Sequence, residues 1–101
     1  MSTQNEYREE TKERVREPKK YSVVMINDDF TTMDFVVDIL MDIFNKNRED
    51  ANSLMLTVHR NGRAVVGVYT YDIALTKVNK ATERAKKEGF PFRMSIVEDL
   101  L

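Results

Sequence analysis

The segment spanning residues 32–45 constrains the fold more than any other part of this sequence, because it is apolar around most of a helix. Its acids Asp34, Asp38 and Asp42 recur every four residues, which places them in one polar stripe. Most of the remaining positions are apolar: Met33, Phe35, Val36, Val37, Ile39, Leu40, Met41, Ile43 and Phe44. This surface is wider than the stripe that covers one face of a core. The excess either packs against core on two sides or leaves part of the helix to line a pocket or a partner surface.

Three shorter segments are typical of β-strands. Tyr21–Ile26 is a β-branched, apolar run, and the turn-forming triplet at residues 27–29 follows it. Arg63–Tyr69 has the same character. Residues 90–97 form the last run, and Pro91 within it favours a position at the edge of the sheet.

Capping residues predict where two of the helices begin and end. Thr31 is predicted as the N-cap of the first helix, with Asp34 as an acidic variant of the capping box. Thr70 is predicted to cap the helix that follows the second strand, and Gly89 is its expected C′ residue. The positions of this helix expected to face inward are Ile73, Ala74, Val78, Ala81 and Ala85.

The segment after Asn47 admits two interpretations. Asn47 can cap a helix over residues 48–59, in which Ala51, Leu54, Met55 and Val58 share one face. Residues 54–59, the Asn61-Gly62 pair and the strand that follows also match a β-hairpin. With the helix, the order is strand, helix, helix, strand, helix, strand (βααβαβ), an α+β domain with three helices on a small three-stranded sheet.

Composition limits the domain count and the function classes. The chain has 101 residues, with 16 Lys and Arg against 17 Asp and Glu and no cysteine, so we expect one domain without disulfides or zinc-thiolate sites. Residues 1–17 are polar and are predicted to form a flexible extension, with the domain at 18–101. The balanced charge argues against a nucleic-acid partner. No apolar run suits a signal peptide or a membrane span, so we expect a cytoplasmic protein.

The polar triplet Asn27-Asp28-Asp29 and the single histidine, His59, are the candidates for chemistry. An isolated Asn-Asp-Asp triplet is most often an ordinary turn. Asp28, Asp29 and His59 together allow the alternative of a small metal-dependent hydrolase, although they form a thin ligand set. The sequence contains no Gly-rich phosphate loop and no Ser/His/Asp motif, so it offers no other catalytic site.

Several stretches of the chain, in order, resemble the ClpS family of adaptors for the ClpAP protease. They are residues 27–37 (NDDFTTMDFVV), 55–59 (MLTVH), 67–70 (GVYT) and 76–78 (TKV), and the resemblance covers about residues 18–97. It implies a helix, and not a hairpin, at 48–59. It also implies a protein that is not an enzyme and has no cofactor. Its partners would be proteins with a bulky hydrophobic first residue (Leu, Phe, Tyr or Trp) and the N-terminal domain of a ClpA-type AAA+ unfoldase.

The same resemblance implies roles for individual residues. Asn27, Asp29 and His59 would bind the free α-amino group of the substrate. The hydrophobic pocket would hold its side chain and comprise Thr31, Met33, Val36, Met55, Val58 and Phe92, to which we add Ile26 from its place on the strand. Asp72 and Lys77 would contact the unfoldase. Leu75 replaces the glutamate that precedes Thr-Lys in the family, so the sequence departs from the family pattern at this contact.

Overall fold

A three-stranded antiparallel sheet with three helices makes up the structure, a computed structural model that describes residues 18–99. In chain order its elements are β1 (Tyr21–Ile26), α1 (Met33–Asp42), α2 (Arg48–Asn61), β2 (Arg63–Tyr69), α3 (Tyr71–Glu88) and β3 (Arg93–Glu98). This order confirms the predicted α+β class. The extension predicted at residues 1–17 lies outside the described residues. No helix in the described part of the chain is long and apolar enough to cross a membrane.

The first strand of the chain is the centre of the sheet. The strand order is β2-β1-β3, and both pairings are antiparallel, so β3 lies at an edge as predicted. On β1, Val23 and Met25 are fully buried against the helices. The pairing with β2 shifts register between Val23 and Val24, because an additional residue of β2 is accommodated there.

The segment after Asn47 is a helix, and the Asn-Gly pair that suggested a hairpin ends it. The Asn47 side chain accepts a hydrogen bond of 2.8 Å from the Asp50 backbone N–H, as an N-cap does. At the other end Gly62 has a φ of 89° and donates its N–H to the Val58 carbonyl at 2.9 Å. A glycine in the left-handed region serves a helix C-terminus as well as a tight hairpin, which explains the ambiguity of the sequence.

Several predicted boundaries and one predicted orientation are wrong in detail. The N-cap of α1 is Thr32, whose hydroxyl accepts the Phe35 N–H at 3.1 Å, and not Thr31. The helix ends at Asp42, and Asn45 beyond it has a positive φ of 58°. β3 begins at Arg93 and not at residue 90. Ile73 on α3 is 49% exposed, although it was expected to face inward.

Most of the apolar surface of α1 is core. Phe35, Val37, Ile39 and Leu40 are buried. The Phe35 ring packs edge-on against two rings from the segment before β3, with centroid distances of 5.1 Å to Phe90 and 5.7 Å to Phe92. Met33 and Val36 are different: Met33 is 47% exposed and Val36 is half-buried. These two residues account for the part of α1 that exceeds the needs of the core.

Candidate functional site

A cavity of about 210 Å³ opens between the start of α1, the second half of α2 and the loop that follows β1. Its polar lining comes mainly from the loop, and its apolar lining from the two helices. The lining residues are Asn27, Asp28, Asp29, Thr31, Met33, Val36, Met55, Val58 and His59. Residues far apart in the sequence therefore share one cavity.

A backbone hydrogen bond joins the two walls of this cavity. The Asn27 N–H, just after β1, donates to the Gly62 carbonyl at 2.9 Å, just after α2. Gly62 precedes β2, which pairs with β1, so the sheet brings the end of α2 beside the loop. His59, in the last turn of α2, consequently lines the same cavity as Asn27 and Asp29.

Asp28 fixes the conformation of the loop. Its Oδ1 accepts the backbone N–H groups of Phe30 at 2.8 Å and Thr31 at 2.7 Å, and its Oδ2 accepts the Thr31 hydroxyl at 2.7 Å. Burial by itself would raise the pKa of Asp28, but these hydrogen bonds and the charge of Arg93 hold the pKa below its ordinary value. Asp28 is therefore an ionised anchor of the loop at neutral pH.

The side chains of Asn27, Asp29 and His59 have no hydrogen-bonding partner among residues 18–99. This distinguishes them from Asp28 beside them, whose two carboxylate oxygens both accept hydrogen bonds from the loop. Each of the three side chains can present an acceptor atom to a ligand in the cavity. The C-terminal end of α2, with the partial negative charge of its last carbonyl groups, also lies at this site. The polar end of the cavity thus favours a cation that can donate several hydrogen bonds.

The opposite end of the cavity is apolar. Met33 and Val36 are three residues apart on α1, and Met55 and Val58 have the same spacing on α2, so each pair lies on one face of its helix. Val58 is only 2% exposed, whereas Met33 is 47% exposed. The apolar lining therefore runs from a buried floor to an accessible rim. Unbranched methionine side chains can adapt to ligands of different shape.

The size of the cavity fits one amino-acid side chain. Pockets for drug-sized ligands have volumes of about 300–1,000 Å³, which is more than the volume of about 210 Å³ of this cavity. An engineered apolar cavity of about 150 Å³ accepts benzene, so this cavity has room for a phenyl ring. The site is suited to a small group that combines an apolar body with a cationic end.

Two residues predicted for the pocket are absent from its lining. Phe92 is buried in the core against Phe35, and Ile26 is half-buried at the end of β1 between Arg63 and Arg93 of the neighbouring strands. Asp28 is the lining residue that the sequence-based site left out. Its position three residues before a threonine was the available signal, because Asp commonly accepts backbone N–H groups two or three residues ahead.

The described residues give no support to a metal-dependent site. No group of three or more His, Asp or Glu residues between 18 and 99 is arranged to hold a metal ion. Asp28 and Asp29 line the same cavity as His59, but the carboxylate of Asp28 already accepts hydrogen bonds from the loop. Nothing in the geometry therefore favours the hydrolase hypothesis.

The two residues predicted to contact an unfoldase lie on α3 in different environments. Asp72 is exposed in the first turn. The Lys77 Nζ donates a 2.6 Å hydrogen bond to the Ile43 carbonyl, and it lies 5.8 Å from the ring centroid of Phe44 and 5.2 Å from that of Tyr69. Lys77 thus joins α3 to the C-terminal end of α1, while the Asp72 carboxylate forms no salt bridge with the described residues.

Comparison with known proteins assigns the chain to a family. Residues 16–95 match the family model described as ATP-dependent Clp protease adaptor protein ClpS. The ATP-dependent Clp protease adapter protein ClpS of Wolinella succinogenes is 50% identical over 84 residues, which are 83% of this chain and 82% of the relative. The protein of the same name from Oleidesulfovibrio alaskensis is 52% identical over 86 residues, 85% of this chain and 83% of the relative.

A solved structure has the same fold. The structure of Agrobacterium tumefaciens ClpS2 bound to L-phenylalaninamide superimposes with a TM-score of 0.79 at 38% sequence identity. The match covers 82% of this chain and 100% of that one. The βααβαβ arrangement is therefore shared with a protein that binds an amino-acid amide.

Proposed function

This chain belongs to the ClpS family of adaptors for the ATP-dependent Clp protease, and from that membership we propose that it selects substrates by their first residue. The substrates are proteins that begin with Leu, Phe, Tyr or Trp and have a free α-amino group. The adaptor delivers them to the N-terminal domain of the ClpA unfoldase in ClpAP, in the cytoplasm, and catalyses no reaction itself.

One observation carries this proposal: a cavity of side-chain size combines an apolar floor with the unpaired acceptors of Asn27, Asp29 and His59. An α-amino group has a pKa of about 8, so it is mostly an ammonium ion with three donors at neutral pH. The Asp29 carboxylate supplies the opposite charge, and charge-assisted hydrogen bonds are stronger than neutral ones. An internal residue offers one amide N–H without charge. The polar end of the cavity would therefore select chain termini.

The apolar end would select the side chain. Met55 and Val58 form the deeper part of the lining, and Met33 stands at the accessible rim. We propose that Met33 crowds the Cβ of the first residue, which would exclude β-branched Ile and Val and admit Leu and the aromatic residues. The ligand of the Agrobacterium relative fits this reasoning, because L-phenylalaninamide has a free α-amino group and an unbranched Cβ.

Delivery would depend on the exposed surface of α3. Asp72 can make a direct charged contact with the unfoldase, because it is exposed and the described residues provide no salt bridge to its carboxylate. Lys77 would contribute to the same surface from its anchored position beside Ile43.

A peptide-binding experiment tests the central claim. Fluorescence anisotropy should show binding of a Phe-starting peptide in the presence of a chelator, and mass spectrometry should recover the peptide intact. The same peptide with an acetylated N-terminus should not bind. Equal affinity for both peptides would contradict recognition of the amine, and cleavage of the peptide would contradict a purely adaptor role. Degradation of a Phe-starting protein by ClpAP should accelerate when the adaptor is added.

A further inference from the structure

Phe30 is the most exposed large hydrophobic residue in the described part of the chain, with 75% of its surface accessible. Its ring takes part in none of the aromatic pairs formed by residues 18–99. Single exposed apolar residues are common on protein surfaces, so exposure by itself indicates nothing. The position of Phe30 is what distinguishes it, because its neighbours Asp29 and Thr31 both line the cavity.

The backbone that carries Phe30 is held in place. Its N–H donates to Asp28 Oδ1 at 2.8 Å, and the next N–H, of Thr31, donates to the same oxygen at 2.7 Å. The exposed ring is therefore carried by a fixed stretch of backbone between two residues that line the cavity. A loop whose backbone is already held loses little backbone conformational entropy when a ligand binds.

We infer that Phe30 contacts the second side chain of a bound polypeptide and favours an apolar residue there, an inference that rests on the proposed function. With the first side chain in the cavity and the amino group at Asp29, the second Cα lies about 3.8 Å from the first. In an extended chain the second side chain points away from the first. It consequently leaves the cavity and meets the rim, where the Phe30 ring presents apolar surface.

Two peptides whose second residues are similar in size but differ in polarity test this inference on the full-length protein. One begins Phe-Leu and the other Phe-Asn, with identical sequences beyond. We expect the parent protein to bind Phe-Leu about 3–10-fold more tightly, which corresponds to about 0.6–1.4 kcal/mol. In Phe30→Ala the ratio of the two affinities should fall below about twofold. The Phe-Leu peptide should bind more weakly, and the affinity for the Phe-Asn peptide should stay unchanged. Phe30→Leu should restore part of the preference.

Val65→Ala is the matched control, because Val65 is an exposed apolar residue on β2 that does not line the cavity. It should leave the ratio as in the parent. If the ratio of the two affinities is the same in the parent and in Phe30→Ala, the inference is overturned and the proposed function stands. An equal loss of affinity for both peptides has the same meaning. Loss of ClpA binding by Phe30→Ala with an unchanged ratio would assign the ring to the unfoldase and overturn the inference. Failure of every free-amine peptide to bind the parent would overturn the proposed function as well.

Discussion

The Thr31 hydroxyl donates a 2.7 Å hydrogen bond to Asp28 Oδ2, while Oδ1 of the same carboxylate accepts the Thr31 backbone N–H at 2.7 Å. Both residues line the cavity, and Phe30 lies between them with its own N–H held by Oδ1. This pair makes the loop between β1 and α1 a rigid part of the cavity wall. Asp29, one of the residues proposed to bind the substrate amine, lies within this held segment of the loop.

Removal of the anchor should destabilise the protein. We expect Asp28→Ala to lower the free energy of unfolding by on the order of 1–2 kcal/mol, because it removes the acceptor of these hydrogen bonds. Urea denaturation measures the change. Asp38→Ala is the control, since Asp38 is an exposed acid on α1 without a hydrogen-bonding partner among the described residues. Equal losses for the two variants would contradict the anchoring role.

The contribution of Asp28 should also depend on pH. Its pKa is lowered in the folded protein, so the folded state binds a proton less readily than the unfolded state does. The resulting stability is fully present above the pKa of an unfolded aspartate, about 3.9, and is lost as the pH falls through the lower folded-state pKa. The stability difference between the parent and Asp28→Ala should therefore narrow below about pH 4. A difference that stays constant from neutral to strongly acidic pH would show that the charge of Asp28 is irrelevant.

Neutralising Asp29 should weaken binding without affecting stability. Asp29→Asn retains the shape of the side chain but removes the charge that faces the substrate ammonium. We expect a loss of about 1.5–3 kcal/mol in the binding free energy of a Phe-starting peptide, the range for hydrogen bonds to charged groups. Calorimetry measures the loss, and Asp38→Asn controls for net charge. Similar affinities for the parent and Asp29→Asn would remove Asp29 from the amine site.

A smaller residue at position 33 should relax the choice of first residue. Met33→Ala creates room at the rim beside the Cβ of the ligand, so Ile- and Val-starting peptides should bind more tightly while Leu- and Phe-starting peptides change little. Met33→Leu, which nearly preserves the volume, should keep the parent selectivity. Competition binding with the four peptides provides the measurement. Unaltered discrimination against Ile and Val in Met33→Ala would contradict the proposal that Met33 excludes β-branched first residues.

Substitutions of Asp72 and Lys77 should have different effects, one on partner binding and the other on stability. Lys77→Met removes the hydrogen bond to the Ile43 carbonyl and should cost about 1.5–3 kcal/mol of stability, the range for hydrogen bonds to charged groups. Lys80→Met, at an exposed lysine of α3, is its control. Asp72→Asn should change stability by less than about 0.5 kcal/mol but weaken binding to the ClpA N-terminal domain. Wild-type affinity in Asp72→Asn would exclude Asp72 from the contact.

The sequence predicts the strands and the helix faces well because hydrophobic periodicity reports burial directly. Ala51 and Val58 on α2, and Ala74 and Val78 on α3, are buried as their helical spacing predicts. Local rules were insufficient at Asn61-Gly62, where the same left-handed glycine serves a helix end or a hairpin. The resemblance to the family, and not the local pattern, favoured the helix there.

The details of the candidate site depend on contacts that a linear pattern does not contain. Thr31 and Thr32 are adjacent residues with the same capping chemistry, and the side chain of Asp28 determines that Thr31 stays in the loop and Thr32 caps α1. Phe92 follows a proline near the edge strand, and its pairing with Phe35 is a tertiary contact. For this reason a pocket assigned by family position included a residue that belongs to the core.

The hydrogen bond between the Asn27 N–H and the Gly62 carbonyl means that the two walls of the cavity meet only when the chain has folded. A ligand that spans both walls has no equivalent site on the unfolded chain. Its binding energy therefore adds to the stability of the native state, by about 2.7 kcal/mol at a free concentration 100 times the dissociation constant. An adaptor with bound substrate would accordingly resist heat and proteolysis better than a free one, so the substrate itself would prolong the lifetime of the adaptor.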